Sequence, residues 1–284
     1  MVIPLTHTPA PSRFARTFRG TKYQFARLFL GNRALISAPT VLGLRFASLP
    51  SDAVGRWIYR RGVYEANILD CIQRNLCIQD GDLAIDIGAN IGWYTCIFGA
   101  LLAGRGRVIA LEPEPRNHAL LERNIRLNRL TNVEALQCAA SDSTGSLALH
   151  LYKSSNRGRH SILPIHSGGT VAIAAMRLDD LLTQRGLAET PIAILKIDVE
   201  GYEAIALRGA KSALKRCRVA LVEWSPDYMQ RGGVAPVELV DSLIESGLSI
   251  HIVDGTGSIV EVTRRQLLDH QGQVDLLCRR DTSA

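Results

Sequence analysis

Asp86-Ile87-Gly88-Ala89-Asn90-Ile91-Gly92 joins a carboxylate in an apolar run to two glycines spaced for a strand-to-helix turn. A carboxylate among Leu83, Ala84, Ile85 and Ile87 must be paired or hydrogen-bonded, because an isolated buried charge is costly. Gly88 and Gly92 let the backbone approach a ligand closely. A dinucleotide site asks for G-x-G-x-x-G, whose second glycine admits the pyrophosphate, and here that place holds Asn90. A nucleoside ligand without phosphate, carrying a cationic centre and an amino-acid tail, suits the turn better. S-adenosylmethionine has all three properties.

Glu112 closes a second apolar run 24 residues after Gly88, where an acidic side chain accepts from ribose hydroxyls. Pro113 and Pro115 stiffen the loop beside it. A third run ends Ala139-Ala140-Ser141-Asp142, small enough for an adenine face, with Asp142 able to accept from its amino group. In Lys196-Ile197-Asp198-Val199-Glu200, strand alternation puts the three charged residues on one side. Charges in a central strand have little structural rationale, so a catalytic or substrate-orienting cluster is expected. Glu223, ending the next run, would lie beside it. His160, in the polar loop Asn156–Ser161, and His166 add imidazoles that could act as bases.

The elements that must position these residues alternate strand and helix. Apolar runs at Leu83–Ile87, Arg107–Pro113, Val133–Ala140, Ala193–Val199 and Val219–Trp224 read as strands, separated by helical segments near Trp93–Ala103, Pro115–Asn128 and from Tyr202. Ile68, Ile72 and Leu76 mark a helix before the first of them, and Val237, Val240 and Ile244 a late one. Near-continuous apolar strands alternating with helices imply a mostly parallel α/β sheet covered on both faces. Leu248–Val253 and Val274–Cys278 lack a full helix between them and are expected to pair antiparallel at an edge. Gly145–Tyr152 and Thr170–Met176 read as an extra hairpin at the ligand end.

Composition narrows the class. The chain has 284 residues, 46% hydrophobic and 21% charged, with a net charge of +6, and no apolar run of transmembrane length. Residues 1–50 hold seven Lys/Arg and no Asp or Glu, leaving 26 basic and 27 acidic residues beyond them. The basic balance therefore describes an N-terminal arm, read as separate from a domain spanning 51–284, and gives no ground for nucleic-acid binding. Such an arm suits a transit peptide or a membrane-surface helix, or a basic helix packed beside the domain. The six cysteines are scattered without C-x-x-C spacing, and a reducing, cytoplasmic location is expected.

DIGANIGWYT, VIALEPEPRNHALLERNIRLN, CAASD, LDDLL and ILKIDVEGYEAIALRGA together resemble the FkbM family of S-adenosylmethionine-dependent methyltransferases, from about Tyr64 to Pro226. The resemblance implies a class I methyltransferase fold: a Rossmann-like, seven-stranded, mostly parallel doubly wound sheet with an antiparallel edge strand. It implies methylation of a hydroxyl on a sugar, a lipid-linked glycan or a secondary metabolite. Cofactor contacts are implied at Asp86, Gly88, Ala89, Asn90, Gly92, Glu112 and Asp142, to which Pro113 and Ser141 are added as neighbours. Asp198 and Glu200 are implied near the transferred methyl. The base candidates are Asp198, Glu200 and His160, with Lys196 positioning a carboxyl. Metal spacing is absent from the sequence, so metal-independent transfer is expected. A nicotinamide-dependent oxidoreductase is the enzyme alternative, and a non-catalytic nucleoside-binding or membrane-surface adaptor is another.

Overall fold

Among residues 13–29, 35–50, 52–152 and 160–280, which this computed structural model describes, the chain begins with helix α1 (Arg13–Phe29). The hairpin β1 (Ile36–Pro39) and β2 (Arg45–Ser48) follows, then helices α2 (Ala53–Arg61) and α3 (Ala66–Asn75). Asp52 caps α2 by accepting from the Gly55 N–H at 2.6 Å, and left-handed Gly62 ends it. The helix α3 buries Ile68, Leu69 and Ile72, the face expected from their spacing. Next come β3 (Leu83–Ile87), α4 (Trp93–Leu101), β4 (Arg107–Leu111), α5 (Pro115–Leu127) and β5 (Val133–Leu136). Pro115 opens α5 in its first turn, where the missing N–H costs nothing.

The run expected as one strand over Val133–Ala140 divides. Its start joins the central sheet as β5, while β6 (Ala139–Ala140) pairs with β8 (Thr170–Met176), the partner of β7 (Gly145–His150), in a separate three-stranded sheet. The expected hairpin is therefore present, and it captures the end of the third strand. After it follow α6 (Leu178–Gln184), β9 (Ile192–Ile197), α7 (Glu203–Arg208), α8 (Lys211–Arg216) and β10 (Cys217–Trp224). The chain continues through α9 (Pro226–Arg231), α10 (Pro236–Glu245), β11 (Ser249–Val253), β12 (Ile259–Glu261), α11 (Arg264–Leu268) and β13 (Val274–Arg279).

The central sheet has the order β12-β11-β13-β10-β9-β3-β4-β5. The strands β10, β9, β3, β4 and β5 run parallel, and β13 lies antiparallel between β10 and β11. This is the class I methyltransferase fold. The two late strands pair antiparallel as expected, and the short β12 adds an eighth strand at the edge. Successive strands move outward from β3 to β5 and then return to β9 on the other side of β3. That reversal makes the gap between β3 and β9 the switch point, where ligands bind in such sheets.

Strand alternation sorts the core into two layers. Ile85, Ile87, Leu195 and Ile197 face α6–α10, while Ala84, Ala110 and Ile194 face α2–α5. The hairpin β1–β2 belongs to the second layer. Phe46 is buried there against Trp93, a burial that contributes about 2 kcal/mol. Asn124, itself buried, accepts from the Ala47 N–H at 2.7 Å and donates to the Ala47 and Ile91 carbonyls. Residues 45–48 thus pack against α4 and α5. The Pro4, Pro9 and Pro11 start and the loop residues 153–159 lie outside the described residues. Among the described residues no helix is long and apolar enough to cross a membrane, and all six cysteines are free thiols.

Candidate active site

Gly88 and Asp198 meet at the switch point. The Asp198 N–H donates to the Ile87 carbonyl at 3.1 Å. A Cβ on Gly88 would stand 1.9 Å from the Asp198 carbonyl oxygen, and the glycine has φ +78°. Only glycine combines that backbone with that contact. A cavity of about 350 Å³ opens above this junction. Gly88, Ala89, Asn90, Glu112 and Pro113 line one end of it, with Asn117, Ala139 and Ala140; Lys196, Asp198, Glu200 and His160 line the other.

At the first end, Asn90 takes a left-handed backbone, φ +51°, and donates its N–H to Glu112 Oε2 at 2.7 Å. The Glu114 N–H donates to Oε1 at 2.9 Å. Burial pushes the Glu112 carboxyl up to about 7, against these two hydrogen bonds. Each carboxylate oxygen has a second lone pair for a further donor. Glu112, expected from the sequence to meet a ribose, lines the cavity with these lone pairs available.

Four expected cofactor contacts are placed elsewhere. Asp86 points to the α4 side of the sheet, one residue short of the strand end. It accepts from Thr95 Oγ1 at 2.5 Å, and its Oδ1 lies 4.0 Å from Lys196 Nζ without a hydrogen-bond partner among the described residues. Asp86 is therefore the buried support of Lys196, its cross-strand neighbour. Gly92 begins α4 with φ +89° and packs against α5, a Cβ there meeting Leu121 at 2.6 Å. Ser141 is buried against the Tyr202 hydroxyl at 2.9 Å, and Asp142 pairs with Arg208 at 3.5 Å. Neither Ser141 nor Asp142 lines the cavity, because the third strand has left the central sheet before reaching them.

At the other end, β9 stops at Ile197, so Lys196 alone of the three charged residues stands on the strand. Its ammonium lies 3.3 Å from Asp198 Oδ2 and 5.0 Å from the centre of the Tyr94 ring. Burial opposes the charge on Lys196, yet Asp198, Asp86 and Glu65 hold its pKa above the usual value. Glu200 and Gly201 both have positive φ in a turn held by Glu203, whose Oε1 accepts from the Val199 and Gly201 N–H groups at 2.9 and 3.2 Å. Ser161 donates to the Glu200 carbonyl at 2.9 Å, tying the small sheet to this turn.

One carboxylate oxygen from each of Asp198, Glu200 and Glu223 lies within 4.8 Å of the others, a cluster able to hold a metal ion that sequence spacing did not reveal. Glu223 faces Asp275 across the β10–β13 pair and accepts from Gln273 Nε2. Burial first, then the charges of its acidic neighbours, raises the Glu223 carboxyl well above its ordinary value. Burial, with Glu65 and Asp198, brings Asp275 up to about 7. Tyr64, Glu65 and Tyr94 complete the wall. Glu65 accepts from the Tyr94 hydroxyl at 2.5 Å, and burial raises its carboxyl. His160 lines the cavity, but its Nδ1 accepts the Tyr152 N–H at 2.8 Å. The neutral ring then carries its hydrogen on Nε2 and has no free lone pair for a proton, which removes His160 as a base in this arrangement. The rest of the loop assigned to it, 153–159, is outside the described residues. His166 lies 4.8 Å from the Tyr152 ring and is not part of the cavity lining.

Residues 86–248 match the methyltransferase FkbM domain. The chain belongs to the FkbM methyltransferase family. The hexuronic acid methyltransferase AglP of Haloferax volcanii is 28% identical over 174 residues, 61% of this chain and 66% of that protein. The 31-O-demethyl-FK506 methyltransferase FkbM of Streptomyces tacrolimicus is 29% identical over 165 residues, 48% of this chain and 62% of that one. The chain spans just under two thirds of the length of these two relatives. A crystal structure of methyltransferase FkbM from Methylobacillus flagellatus aligns with a TM-score of 0.45 and 18% identity, covering 72% of this chain and 44% of that chain. Membership sets aside the oxidoreductase reading and makes S-adenosylmethionine the methyl donor of this methyltransferase. The acid-lined cavity fits a sulfonium ligand by charge, and Glu112 fits its ribose.

Proposed function

We propose that this methyltransferase O-methylates a hydroxyl of a sugar, a lipid-linked glycan or a secondary metabolite. The observation that carries the reading is one cavity lined both by Glu112 and by the Lys196–Asp198 pair. Gly88, Ala89, Asn90, Glu112 and Pro113 would hold the donor, which supplies an electrophilic methyl on a sulfonium and leaves as a neutral thioether. The protein's work is to bring a hydroxyl oxygen into line and accept its proton.

Asp198 is the group placed for that proton. Its side chain is 38% exposed, whereas Lys196 beside it is buried at 6%. The Lys196 ammonium lies 3.3 Å from Asp198 Oδ2, and the turn that follows Asp198 is held by Glu203. Glu223 and Asp275, with raised pKa values, can donate to or accept from neighbouring hydroxyls of the acceptor. The names of the relatives support a sugar or secondary-metabolite acceptor, one referring to a hexuronic acid, and the other, through its 31-O position, supports oxygen as the methylated atom. Among the described residues Glu65, Glu112, Asp198, Glu200, Glu223 and Asp275 line the cavity with one ammonium, Lys196.

The test incubates the protein with isotope-labelled S-adenosylmethionine and a cell extract, and locates the label by mass analysis. Label on a hydroxyl oxygen is expected. Asp198→Asn should lower turnover about 10²–10⁴-fold while donor affinity by calorimetry changes little. Label on nitrogen, or an Asp198→Asn variant that loses donor binding instead of turnover, would overturn the assignment.

A further inference from the structure

The surface formed by α1 and α2 carries an apolar face that the methyl-transfer reading does not use. Tyr23 anchors α1: it is 1% exposed, its ring lies 5.8 Å from that of Tyr59, and its hydroxyl donates to the Pro50 carbonyl. At about 3.6 residues per turn, Phe25, Leu28 and Phe29 fall on the opposite side of the helix. They are 61%, 78% and 69% exposed, and the two phenylalanine rings stack at 4.4 Å. In the sequence, Phe14 and Phe18 repeat the four-residue spacing of Phe25 and Phe29 one heptad or more upstream. On α2, Trp57 is 40% exposed with the Arg61 guanidinium 3.8 Å above its ring.

Charge identifies what this face meets. Residues 1–64 contain ten Lys/Arg and a single acidic residue, Asp52. Asp52 is 2% exposed and occupied in capping α2. Lys22, Arg60 and Arg61 are exposed, so the described outer surface of this region is rich in cations. A nucleic acid would satisfy the cations but leave Leu28 in water, and a second copy of this chain would bring equal positive charge against them. An anionic bilayer accepts both the rings and the cations.

We propose that α1 and the outer face of α2 form a peripheral docking surface for an anionic phospholipid membrane. Phe25, Leu28, Phe29 and Trp57 enter the interface, while Lys22, Arg60 and Arg61 meet lipid phosphates. The surface is coupled to the catalytic cavity through α2, because Val54, one turn before Trp57, lines that cavity. Docking would therefore hold the cavity near the membrane surface, where a lipid-linked acceptor is presented.

Co-sedimentation of the full chain with vesicles of phosphatidylcholine alone, or of phosphatidylcholine with phosphatidylglycerol, tests the proposal. Preferential binding to the anionic vesicles is expected, weakening as salt rises. Phe25→Ser/Leu28→Ser/Phe29→Ser should weaken it at least about a hundredfold. Lys22→Gln/Arg60→Gln/Arg61→Gln should weaken it about fivefold per charge removed. These side chains lie on the surface, and unchanged S-adenosylmethionine affinity by calorimetry would show that each variant is folded and that the donor site stands independently. Absent or lipid-independent sedimentation of the native chain, binding unaffected by the triple serine variant, or a self-association that the serine variant abolishes without vesicle binding, would each overturn the proposal.

Discussion

Glu112 makes donor affinity a function of pH in a way that isolates one carboxyl. In the folded protein burial places it near 7, against an ordinary value of 4.5. Both of its oxygens already accept backbone N–H groups, from Asn90 and Glu114. Two ribose hydroxyls donating to the same oxygens therefore favour the ionised form. If only that form binds, affinity falls about tenfold for each pH unit below 7 and levels off above it. The sign for the protein alone is the reverse. Between 4.5 and 7 the folded state holds the proton that the unfolded chain has lost, so this contribution to stability is fully present below 4.5 and is lost as pH rises to about 7. Its full size is about 3 kcal/mol. Because Glu203 and Asp275 also come up to about 7, binding is the cleaner readout than melting. Calorimetric titration with S-adenosylmethionine from about pH 5.5 to 7.5, repeated on Glu112→Gln, checks this. The variant should bind more weakly and lose the slope, since an amide does not titrate. It should also lose about 1–3 kcal/mol of stability, because its NH₂ must face one of the two backbone donors. A flat native profile, or a variant that keeps the native slope, would refute the assignment of Glu112 to the ribose.

Two further outcomes are expected. Gly88→Ala should lower stability by several kcal/mol and shift the thermal midpoint accordingly, because the new methyl would stand 1.9 Å from the Asp198 carbonyl in a left-handed backbone; an unchanged melt would mean that the β3–β9 junction is looser than described. Lys196→Met should cost about 3–5 kcal/mol by leaving buried Asp86 without its cation, and denaturant titration should find much of that restored by adding Asp86→Asn.

The parts of the site that were legible in the sequence are those fixed by local chain geometry. Gly88 follows a short apolar strand and must turn, and Glu112 sits where the next strand ends, so both fall on the cavity. Asp86 was expected at the donor, and its contacts with Thr95 and Lys196 depend on how α4 and β9 pack against β3, which spacing along one strand does not show. Ile87 is the last strand residue, and Asp86 therefore shares a face with Ala84 under α4. Glu65 gave no readable signal, since its left-handed φ of 46° and the absence of a side-chain cap on α3 are outcomes of packing. Asp275 was beyond reach for a different reason. Its meeting with Glu223 follows from β13 inserting antiparallel between β10 and β11, a pairing that joins residues distant along the chain. Membership of the family, by contrast, was visible from the order of motifs and needed no tertiary contact.

The long-range contacts are also what give the carboxyls of the site different tasks. Among the described residues Glu65, Asp198, Glu200, Glu223 and Asp275 line the cavity beside Lys196, and a carboxyl serves as a general base only when ionised. Lys196 lies 3.3 Å from Asp198 and 4.0 Å from Asp86, and the Asp86 carboxyl accepts from Thr95. Glu223 and Asp275, paired across two strands, have raised pKa values because burial disfavours both charges. A carboxyl held neutral in this way can offer a hydrogen bond to an acceptor hydroxyl. The Asp198 carbonyl, close against Gly88, joins the end of β9 to the loop that follows β3. With Asp198 as the proposed base and the Gly88 loop as the proposed donor site, moving either strand by one residue would separate them, so the proposed chemistry depends on the switch point of the sheet and not on any one motif.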